Sequence, residues 1–324
     1  MTQPKLAHAT PWERMYGRFV GDEPRVPSIT TVLGHAPDTL HGWHGRMAAD
    51  AMKAYLAGGD ALAAFPHVTA AIEEARARRR DSDRAARKAI AGTGEWLAEQ
   101  ASIRGDRVHD YAEQVARFFL GVGTREEIAA ARQDLAEHGQ IGYAEQFDNW
   151  WSRYDVKPVF AEATVWNHTI GYAGTIDIGF ESNGILIIGD YKSKESFAGR
   201  PKRLDSKVGL QLVAGMKAEE YCTNPEAPGV WEPWRWSRPT MLAGIAVADS
   251  GVDVQRINPA LFGELWTKFQ RLREMWQSHR DLDMGNVLTP LRPPPSAALW
   301  PDEELVQLNL GPEDPRSMAS LSVA

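Results

Sequence analysis

The pattern of the sequence changes at Pro158, and this change constrains the fold more than any other feature of the chain. From about residue 38 to 155, apolar residues recur at a spacing of three to four, which is typical of amphipathic helices. Between 158 and 192 the composition changes to that of three short strands. The third strand contains the apolar run Ile185–Ile188, which is typical of a buried central strand. We therefore predict an α/β protein with a mixed β-sheet core flanked by helices.

The same pattern predicts how the chain is organised. At roughly 150 residues per domain, 324 residues suffice for one large domain or two modest ones. We expect an irregular N-terminal segment at 1–37, a helical region at 38–155 that closes over the functional site, a core at 156–282 and a Pro-rich, poorly ordered tail at 283–324.

Charge and cysteine content exclude several classes of protein. Acidic residues outnumber basic ones by 43 to 36, so the net charge of −7 argues against coating nucleic acid or an anionic membrane through bulk charge. The single cysteine, Cys222, excludes an internal disulfide and an Fe–S cluster. The chain has neither an apolar signal region nor a run of the roughly 18 apolar residues that span a bilayer. We therefore expect a cytoplasmic protein without a membrane partner.

Charged residues end the third predicted strand, 184–192. Side chains alternate between the two faces of a strand, so Asp190 and Lys192 should share one face and Tyr191 should lie on the other. Two charges at the end of a buried strand indicate a site more often than a solvated surface.

Two more carboxylates can join this pair. The turn Ser182–Gly184 favours a hairpin, which would bring Asp177 of the second strand beside Asp190. Glu162, on the first strand, can reach the same side of the sheet. Close carboxylates repel each other, and a divalent cation such as Mg²⁺ or Mn²⁺ resolves that repulsion. With Lys192 to assist an attacking water or a phosphorane, this set indicates phosphodiester hydrolysis.

The motifs resemble the PD-(D/E)XK nuclease superfamily, and within it the RecB-like exonucleases of the phage-encoded type, over about residues 26–258. The matching segments are Gly174–Asp177, Asp190–Lys192, the helix that starts at Gln211, and Arg104–His109, which is similar to a helical element of the family. The resemblance implies a restriction-endonuclease-like fold, with 156–282 as the nuclease core. It also implies that the protein is an exonuclease that acts on DNA in phage recombination, repair or replication. The expected location is the host cytoplasm, and the candidate partner is a recombination or replication protein.

The resemblance also implies a role for each matching residue. Asp177, Asp190 and the backbone carbonyl of Tyr191 would bind Mg²⁺ or Mn²⁺, and Lys192 would be the catalytic lysine. His109 would be a further metal ligand or an orienting group. Glu162 would bind a second metal or a water, and Gln211 would hold the DNA backbone or position Lys192.

Several alternatives remain open at this point. His109 could be a packed structural histidine, Glu162 a surface carboxylate and Gln211 a helix-surface amide. The family often has Tyr four residues after the glutamine, where this chain has Gly215. A site-specific or structure-specific endonuclease of the same fold and a non-catalytic nucleic-acid-binding module are the alternative functions.

Basic residues gather in two clusters that could contact DNA. The first cluster comprises Arg76, Arg79 and Arg80. The second follows the strand that carries Lys192 and comprises Lys194, Arg200, Lys202, Arg203 and Lys207. Neighbouring acidic residues make a solvated helix face equally plausible for the first cluster, whereas the position of the second favours a DNA contact. The run Trp231–Trp236 could stack on bases or pack against the core.

Overall fold

The computed structural model describes residues 4–37, 41–224, 227–236, 241–282 and 287–288. The chain divides into two units, Met1–Arg280 and Asp281–Ala324. The Pro-rich tail predicted for 283–324 lies almost wholly outside the described residues. No described helix is both long enough and apolar enough to cross a membrane.

The N-terminal segment, which was expected to be irregular, contains regular structure. Its elements are the antiparallel strands β1 (Ala7–Thr10), β2 (Glu13–Tyr16) and β3 (Val26–Pro27), followed by helix α1 (Ile29–Gly34). Ser28 caps α1 by accepting the N–H of Thr31 at 2.9 Å. The expectation was wrong because the strands are very short, and they are stabilised by burying Leu6 and Tyr16 against Trp166, a residue far away in the sequence.

The helical pattern predicted for 38–155 is confirmed. The helices are α2 (His41–Ala57), α3 (Asp60–Ala63), α4 (Pro66–Ala77), α5 (Ser82–Ala91), α6 (Thr93–Phe119), α7 (Arg125–Glu137) and α8 (Ile141–Arg153). Helices α2 to α5 share an apolar cluster of their own, which includes Val68 and Ile72. The long helix α6 packs against α2, α7 and α8 and also against β4 and β6, so it links the helices to the sheet.

The three strands predicted after Pro158 are also confirmed. The elements in this part are β4 (Lys157–Asn167), β5 (Tyr172–Ser182), β6 (Ile185–Ser193), β7 (Ser196–Phe197), β8 (Arg200–Pro201), α9 (Lys207–Met216), β9 (Glu220–Cys222), β10 (Glu232–Pro233), β11 (Met241–Ala248), β12 (Gly251–Arg256) and α10 (Phe262–Asp281). The helix that was expected to start at Gln211 begins four residues earlier, at Lys207, and the residues after it at Glu220–Cys222 pair with Thr164–Trp166 as strand β9.

Within the described residues, the central sheet has seven strands in the order β10-β9-β4-β5-β6-β11-β12. Neighbours are antiparallel except for β6 and β11, which are parallel, so the sheet is mixed as predicted. Helices α6 to α8 cover one face, and α1, α9 and α10 cover the other. This arrangement confirms an α/β protein with a mixed sheet flanked by helices.

Strands β5 and β6 pair over only part of their length. Their ladder runs from Ser182–Ile185 to Ile178–Gly189. Beyond that point β5 stays paired with β4, whereas β6 stays paired with β11 up to Ser193. The two strands therefore diverge just before Asp177 and Asp190, and we call this place the fork.

Candidate functional site

The side chain of Asp177 lies in the fork. Its Oδ2 accepts the backbone N–H of Tyr191 at 2.6 Å. The carboxylate thereby takes the place of a backbone acceptor on β5, so the N–H is satisfied although the ladder has ended. Asp177 is buried, and this hydrogen bond holds its carboxylate between the two strands.

His109 and Glu162 bring further potential metal ligands to Asp177. One donor atom from each of the three residues lies within 4.8 Å of the other two, and we call this group the triad. His109 Nδ1 is 3.6 Å from Asp177 Oδ2, which is too long for a hydrogen bond. This buried nitrogen has no hydrogen-bond partner within the described part of the chain. An unsatisfied buried nitrogen costs free energy, and a cation bound between it and the carboxylates would remove that cost.

Local structure explains how the triad assembles. Helix α6 approaches the end of β6 closely at Gly105, where a Cβ atom would lie 3.3 Å from Ser193 Oγ. His109 is one turn further along that helix. Glu162 has a positive φ of 47° in the middle of β4, a conformation that costs a non-glycine residue of the order of 1–3 kcal/mol. The sequence predicted His109 and Glu162 as site candidates, but nothing in the sequence signals the positive φ of Glu162.

The electrostatics of the triad favour a bound cation. Burial raises the pKa of Asp177, although the positive charge of Lys192 and the N–H of Tyr191 oppose this effect. Burial, followed by the charge of Asp177, raises the pKa of Glu162 well above its ordinary value. Burial and the positive charge of Lys192 lower the pKa of His109 to about 4. At neutral pH the histidine is therefore an uncharged ligand, and the charge of Lys192 does not offset the burial of Asp177.

Asp190 has a different set of partners on the β6 side of the fork. Lys192 Nζ lies 2.9 Å from Oδ1 and 2.7 Å from Oδ2 of Asp190. Gln211, on α9, donates to Oδ1 at 2.6 Å. Asp190 is only 2 % exposed, and burial raises its pKa to about 6 in spite of Lys192. Burial alone would lower the pKa of Lys192, but the charges of Asp190 and Asp177 outweigh it and raise that pKa.

Two predictions about side-chain orientation are thereby confirmed. Asp190 and Lys192 share one face of β6, which faces Gln211. The ring of Tyr191 is on the other face, in contact with the rings of Phe147 and Trp150.

The grouping of the predicted metal ligands differs from the expectation. Glu162, rather than Asp190, lies with His109 and Asp177 in the triad. The backbone of Tyr191, which was predicted to offer its carbonyl to a metal, donates its N–H to Asp177.

Sequence reasoning missed Glu113 and Arg117 as functional candidates. Both residues follow His109 on α6 at intervals of four, and Arg117 Nη1 lies 3.7 Å from Glu113 Oε1. The two side chains and Glu162 border a cavity of about 460 Å³. The spacing of four was the available signal, because it places the three residues on one face of a helix.

The first predicted DNA-binding cluster belongs to the helical part of the chain. Arg76 is in the last turn of α4, and Arg79 and Arg80 lie in the connection from α4 to α5. Arg80 lines a groove between these helices together with three further basic residues, Arg78, Arg84 and Lys88. The basic surface is partly balanced, since Arg78 forms an ion pair with Glu74 at 3.0 Å.

The second cluster follows directly from the site. Burial and the charge of Lys192 lower the pKa of Lys194. Arg200, Lys202 and Arg203 line a groove at the β7–β8 hairpin beside Phe197, which is 73 % exposed. Lys202 is paired with Glu195, and Lys207 is the first residue of α9. This cluster begins two residues beyond Lys192, so it is the basic surface that the chain places next to the fork.

The tryptophan run 231–236 packs rather than standing free. Trp234 is buried and contacts the rings of Phe160 and Tyr221. Trp231 donates its indole N–H to the carbonyl of Arg18 at 3.0 Å. These contacts favour the interpretation of this run as core packing.

Comparison with known proteins adds little to this geometry. No family model matches the chain, and no curated protein matches it. One match among solved structures is described as the crystal structure of SSO0001, with 15 % sequence identity over 53 % of this chain and 74 % of that chain, and a TM-score of 0.25. A TM-score this low supports no argument, so any functional conclusion rests on the residues themselves.

Proposed function

We propose that the protein is a metal-dependent DNA nuclease with a restriction-endonuclease-like core. One observation carries this proposal, namely that the triad and the Asp190–Lys192 ion pair lie on the two sides of one fork in the sheet. Potential metal ligands beside a half-buried lysine are the groups that phosphodiester hydrolysis requires.

The triad residues suit a divalent cation. Asp177 and Glu162 would supply carboxylate oxygens, and His109 would supply the Nδ1 atom that has no hydrogen-bond partner among the described residues. Carboxylates suit Mg²⁺ and Mn²⁺, and the imidazole nitrogen makes the softer Mn²⁺ a good match. Such an ion, when bound, lowers the pKa of a water ligand and neutralises charge on the phosphoryl group.

Lys192 would act as a cation in this site. Its raised pKa keeps the ammonium group protonated at neutral pH, so it can donate hydrogen bonds to phosphoryl oxygens but cannot serve as a general base. Asp190 fixes the ammonium group, and Gln211 fixes Asp190. A donor held in place before the reaction stabilises the developing charge without having to reorganise.

The more specific parts of the proposal rest on the sequence resemblance. These are an exonuclease mode, a role in phage DNA recombination, repair or replication, a location in the host cytoplasm and a partner protein from those processes. The exposed basic residues that follow the fork in the sequence, such as Arg200 and Arg203, support DNA as the substrate.

The decisive experiment incubates end-labelled linear DNA and closed circular DNA with Mg²⁺, Mn²⁺ or EDTA. We expect cleavage with either metal, none with EDTA, and loss of cleavage in Asp177→Asn and Lys192→Met. Lys157→Met is the matched control, because Lys157 is an exposed lysine of β4 paired with Asp155.

The outcomes separate the candidate functions. Degradation of linear but not circular DNA supports an exonuclease, and cutting of both supports an endonuclease. Wild-type rates in both site variants would show that the fork is not the active site. Tight DNA binding without cleavage in any metal would favour the non-catalytic binding module.

A further inference from the structure

The β7–β8 hairpin carries an aromatic side chain that has no role in the proposal above. The ring of Phe197 is more exposed than those of Phe19 and Phe119. A single exposed apolar side chain is common on protein surfaces, so the surroundings of Phe197 decide whether it is a contact for a ligand.

The backbone of the hairpin fixes the direction of this ring. Phe197 pairs with Arg200 across the two-residue turn 198–199, in which Ala198 and Gly199 both have positive φ, 50° and 73°. A turn of this kind twists in the same sense as the strands that it joins and keeps the flanking residues opposite each other. The side chains of Phe197 and Arg200 therefore lie on one face of the hairpin.

The other face of the hairpin is attached to the sheet. Ser196 alternates with Phe197 along β7, and its hydroxyl group hydrogen-bonds to Asp249 and Ser250 in the turn between β11 and β12. Strand β8 also packs against β11 and β12. These contacts hold one face of the hairpin on the protein, so the face that carries Phe197 and Arg200 is turned to solvent.

The surface around the ring is basic. Arg200, Lys202 and Arg203 line the groove beside Phe197, and the described lining contains no carboxylate. Lys202 forms an ion pair with Glu195, whereas no ion pair within the described residues involves Arg200 or Arg203. The whole chain has a net charge of −7, so this local excess of positive charge favours an anionic ligand at the hairpin.

An aromatic ring beside unpaired arginines suits a single strand of nucleic acid. Proteins that bind single strands combine rings that stack on the bases with cations that contact the phosphates. A base inside a duplex is already stacked on its neighbours, whereas an unpaired base offers a flat face to a ring that projects from the protein. The surface of the hairpin therefore matches an unpaired nucleotide better than a paired one.

The strand that precedes the hairpin places it near the fork. Phe197 follows Lys192 by five residues, which limits the distance between their Cα atoms to about 18 Å. The base of the hairpin also contacts α6, since Glu195 lies 4.0 Å from Arg104. A stacked strand that runs from the hairpin to the fork covers this distance in about five nucleotides, at roughly 3.4 Å per nucleotide.

We propose that the tip of the β7–β8 hairpin binds an unpaired base by stacking on Phe197, with Arg200 contacting an adjacent phosphate. The proposal rests on the proposed nuclease function and extends it to the form of the DNA. The DNA held next to the fork has a single-stranded stretch, and Phe197 contacts this stretch within about five nucleotides of the bond that is cut.

Binding can be measured in EDTA, where no cleavage is expected. The probes are an oligodeoxythymidylate of about 12 nucleotides, an abasic strand of the same length and charge, and a duplex of about 12 base pairs. We expect the wild type to bind the oligodeoxythymidylate about 5- to 100-fold more tightly than the abasic strand, because only the former has bases to stack. Equal affinities for these two strands would contradict the stacking contact.

Substitutions of Phe197 separate stacking from other apolar contacts. Phe197→Ala and Phe197→Leu should both lose the preference for the strand with bases, because leucine is apolar but has no flat face. Phe197→Trp should keep this preference. All three variants should bind the duplex as tightly as the wild type, since a paired base does not reach the ring.

Two further variants test the phosphate contact and the choice of position. Arg200→Gln should weaken binding of the oligodeoxythymidylate and the abasic strand equally, and should reduce the slope of log Kd against log salt by about 0.7. Phe19→Ala is the matched control, because Phe19 is exposed and follows Arg18, which pairs with Glu220 of β9 at the other end of the sheet. It should bind all three probes as the wild type does.

The position of cleavage provides a second readout. An abasic nucleotide is moved one step at a time along a labelled single strand, and cleavage is measured with Mn²⁺. We expect cleavage of a bond to slow when the abasic nucleotide lies within about five nucleotides of it on one side, and we expect Phe197→Ala to lose this dependence. The side on which the missing base matters gives the direction of the strand.

Failure of this proposal is distinct from failure of the nuclease proposal. If Phe197→Ala or Phe197→Leu keeps the preference for bases, the hairpin does not stack on DNA, even when DNA is cut. If Phe197→Ala changes the oligomeric state but not the affinity for single strands, the tip is a contact between copies of the chain and the proposal is wrong. If the preference for bases depends on Phe197 but no metal supports cleavage, the hairpin site stands and the hydrolytic function is wrong.

Discussion

The two sides of the fork contain buried aspartates in opposite electrostatic situations. On the β5 side, Asp177 lies with Glu162 and the uncharged His109, and no cationic side chain is bonded to these carboxylates within the described residues. On the β6 side, Asp190 has Lys192 as an internal counter-ion and Gln211 as a donor. The comparison of Asp177 with Asp190 shows that burial of a carboxylate does not by itself define a metal ligand. The β5 side lacks a cation that the chain has already supplied on the β6 side.

This contrast assigns different tasks to the two sides. The triad is suited to binding a metal ion, and the β6 side is suited to holding a lysine in one position. Predictions that separate metal binding from the chemical step therefore test the comparison directly.

The largest effect is expected for Asp177→Asn. The variant should lose divalent-metal binding and reduce cleavage by about 10³-fold or more, since several kcal/mol of transition-state stabilisation depend on the metal. The metal-free variant should also be more stable than the wild type, because burial raises the pKa of Asp177 and its charge is therefore costly. Titration with Mn²⁺ and thermal unfolding in EDTA measure the two effects. A metal affinity equal to that of the wild type would remove Asp177 from the site.

Lys192→Met should separate chemistry from metal binding. We expect single-turnover cleavage to fall by roughly 10²- to 10³-fold, while Mn²⁺ binds as tightly as before or more tightly. The reason is that Lys192 bonds to Asp190 and not to a member of the triad. Lys157→Met should leave both quantities unchanged. A parallel loss of metal affinity in Lys192→Met would contradict the division between the two sides.

Asp190 makes the stability of the metal-free protein depend on pH. Its folded-state pKa of about 6 exceeds the ordinary value of 3.8, so the folded protein holds this proton more tightly than the unfolded protein. The resulting stabilisation is complete below about pH 4 and is lost as the pH rises through about 6. The free energy of unfolding of Asp190→Asn should therefore exceed that of the wild type by roughly 2–3 kcal/mol at pH 7, and the difference should shrink towards pH 4. Urea unfolding in EDTA measures it, and a difference that grows on acidification would overturn the assignment.

Gln211→Ala should give the smallest effect, because Gln211 acts through Asp190. We expect cleavage to fall by about tenfold with unchanged metal affinity, since one hydrogen bond to a charged group is lost. The lower limb of the pH–rate profile should move to higher pH, because Asp190 loses a donor that favours its ionised form. A general loss of activity without this displacement would indicate a merely structural role. Gln211→Glu, which replaces the donor with a carboxylate, should cleave DNA more slowly than Gln211→Ala.

Gly215 lies at the position where the family that the sequence resembles often has a tyrosine. On α9, a Cβ atom at Gly215 would lie 2.8 Å from Cδ1 of Ile176 on β5. A side chain at this position would therefore require Ile176 to shift. The contact between Gln211 and Asp190 forms without a tyrosine here.

The sequence alone determined those features that depend on local periodicity. Alternation along β6 placed Asp190 and Lys192 on one face and Tyr191 on the other, because the two-residue period of a strand holds wherever the strand lies. The change of pattern at Pro158 predicted the helices before it and the strands after it for the same reason. His109 and Glu162 were recognised as candidates through the order of the motifs.

Tertiary structure alone decided which candidates meet. The triad depends on the pairing of β4 with β5, on the positive φ of Glu162, and on the close approach of α6 at Gly105. Strand β9 and the cavity bordered by Arg117 and Glu162 likewise depend on contacts between residues far apart in the chain. Local preferences do not encode such contacts, because their free energy arises only when distant segments are packed together.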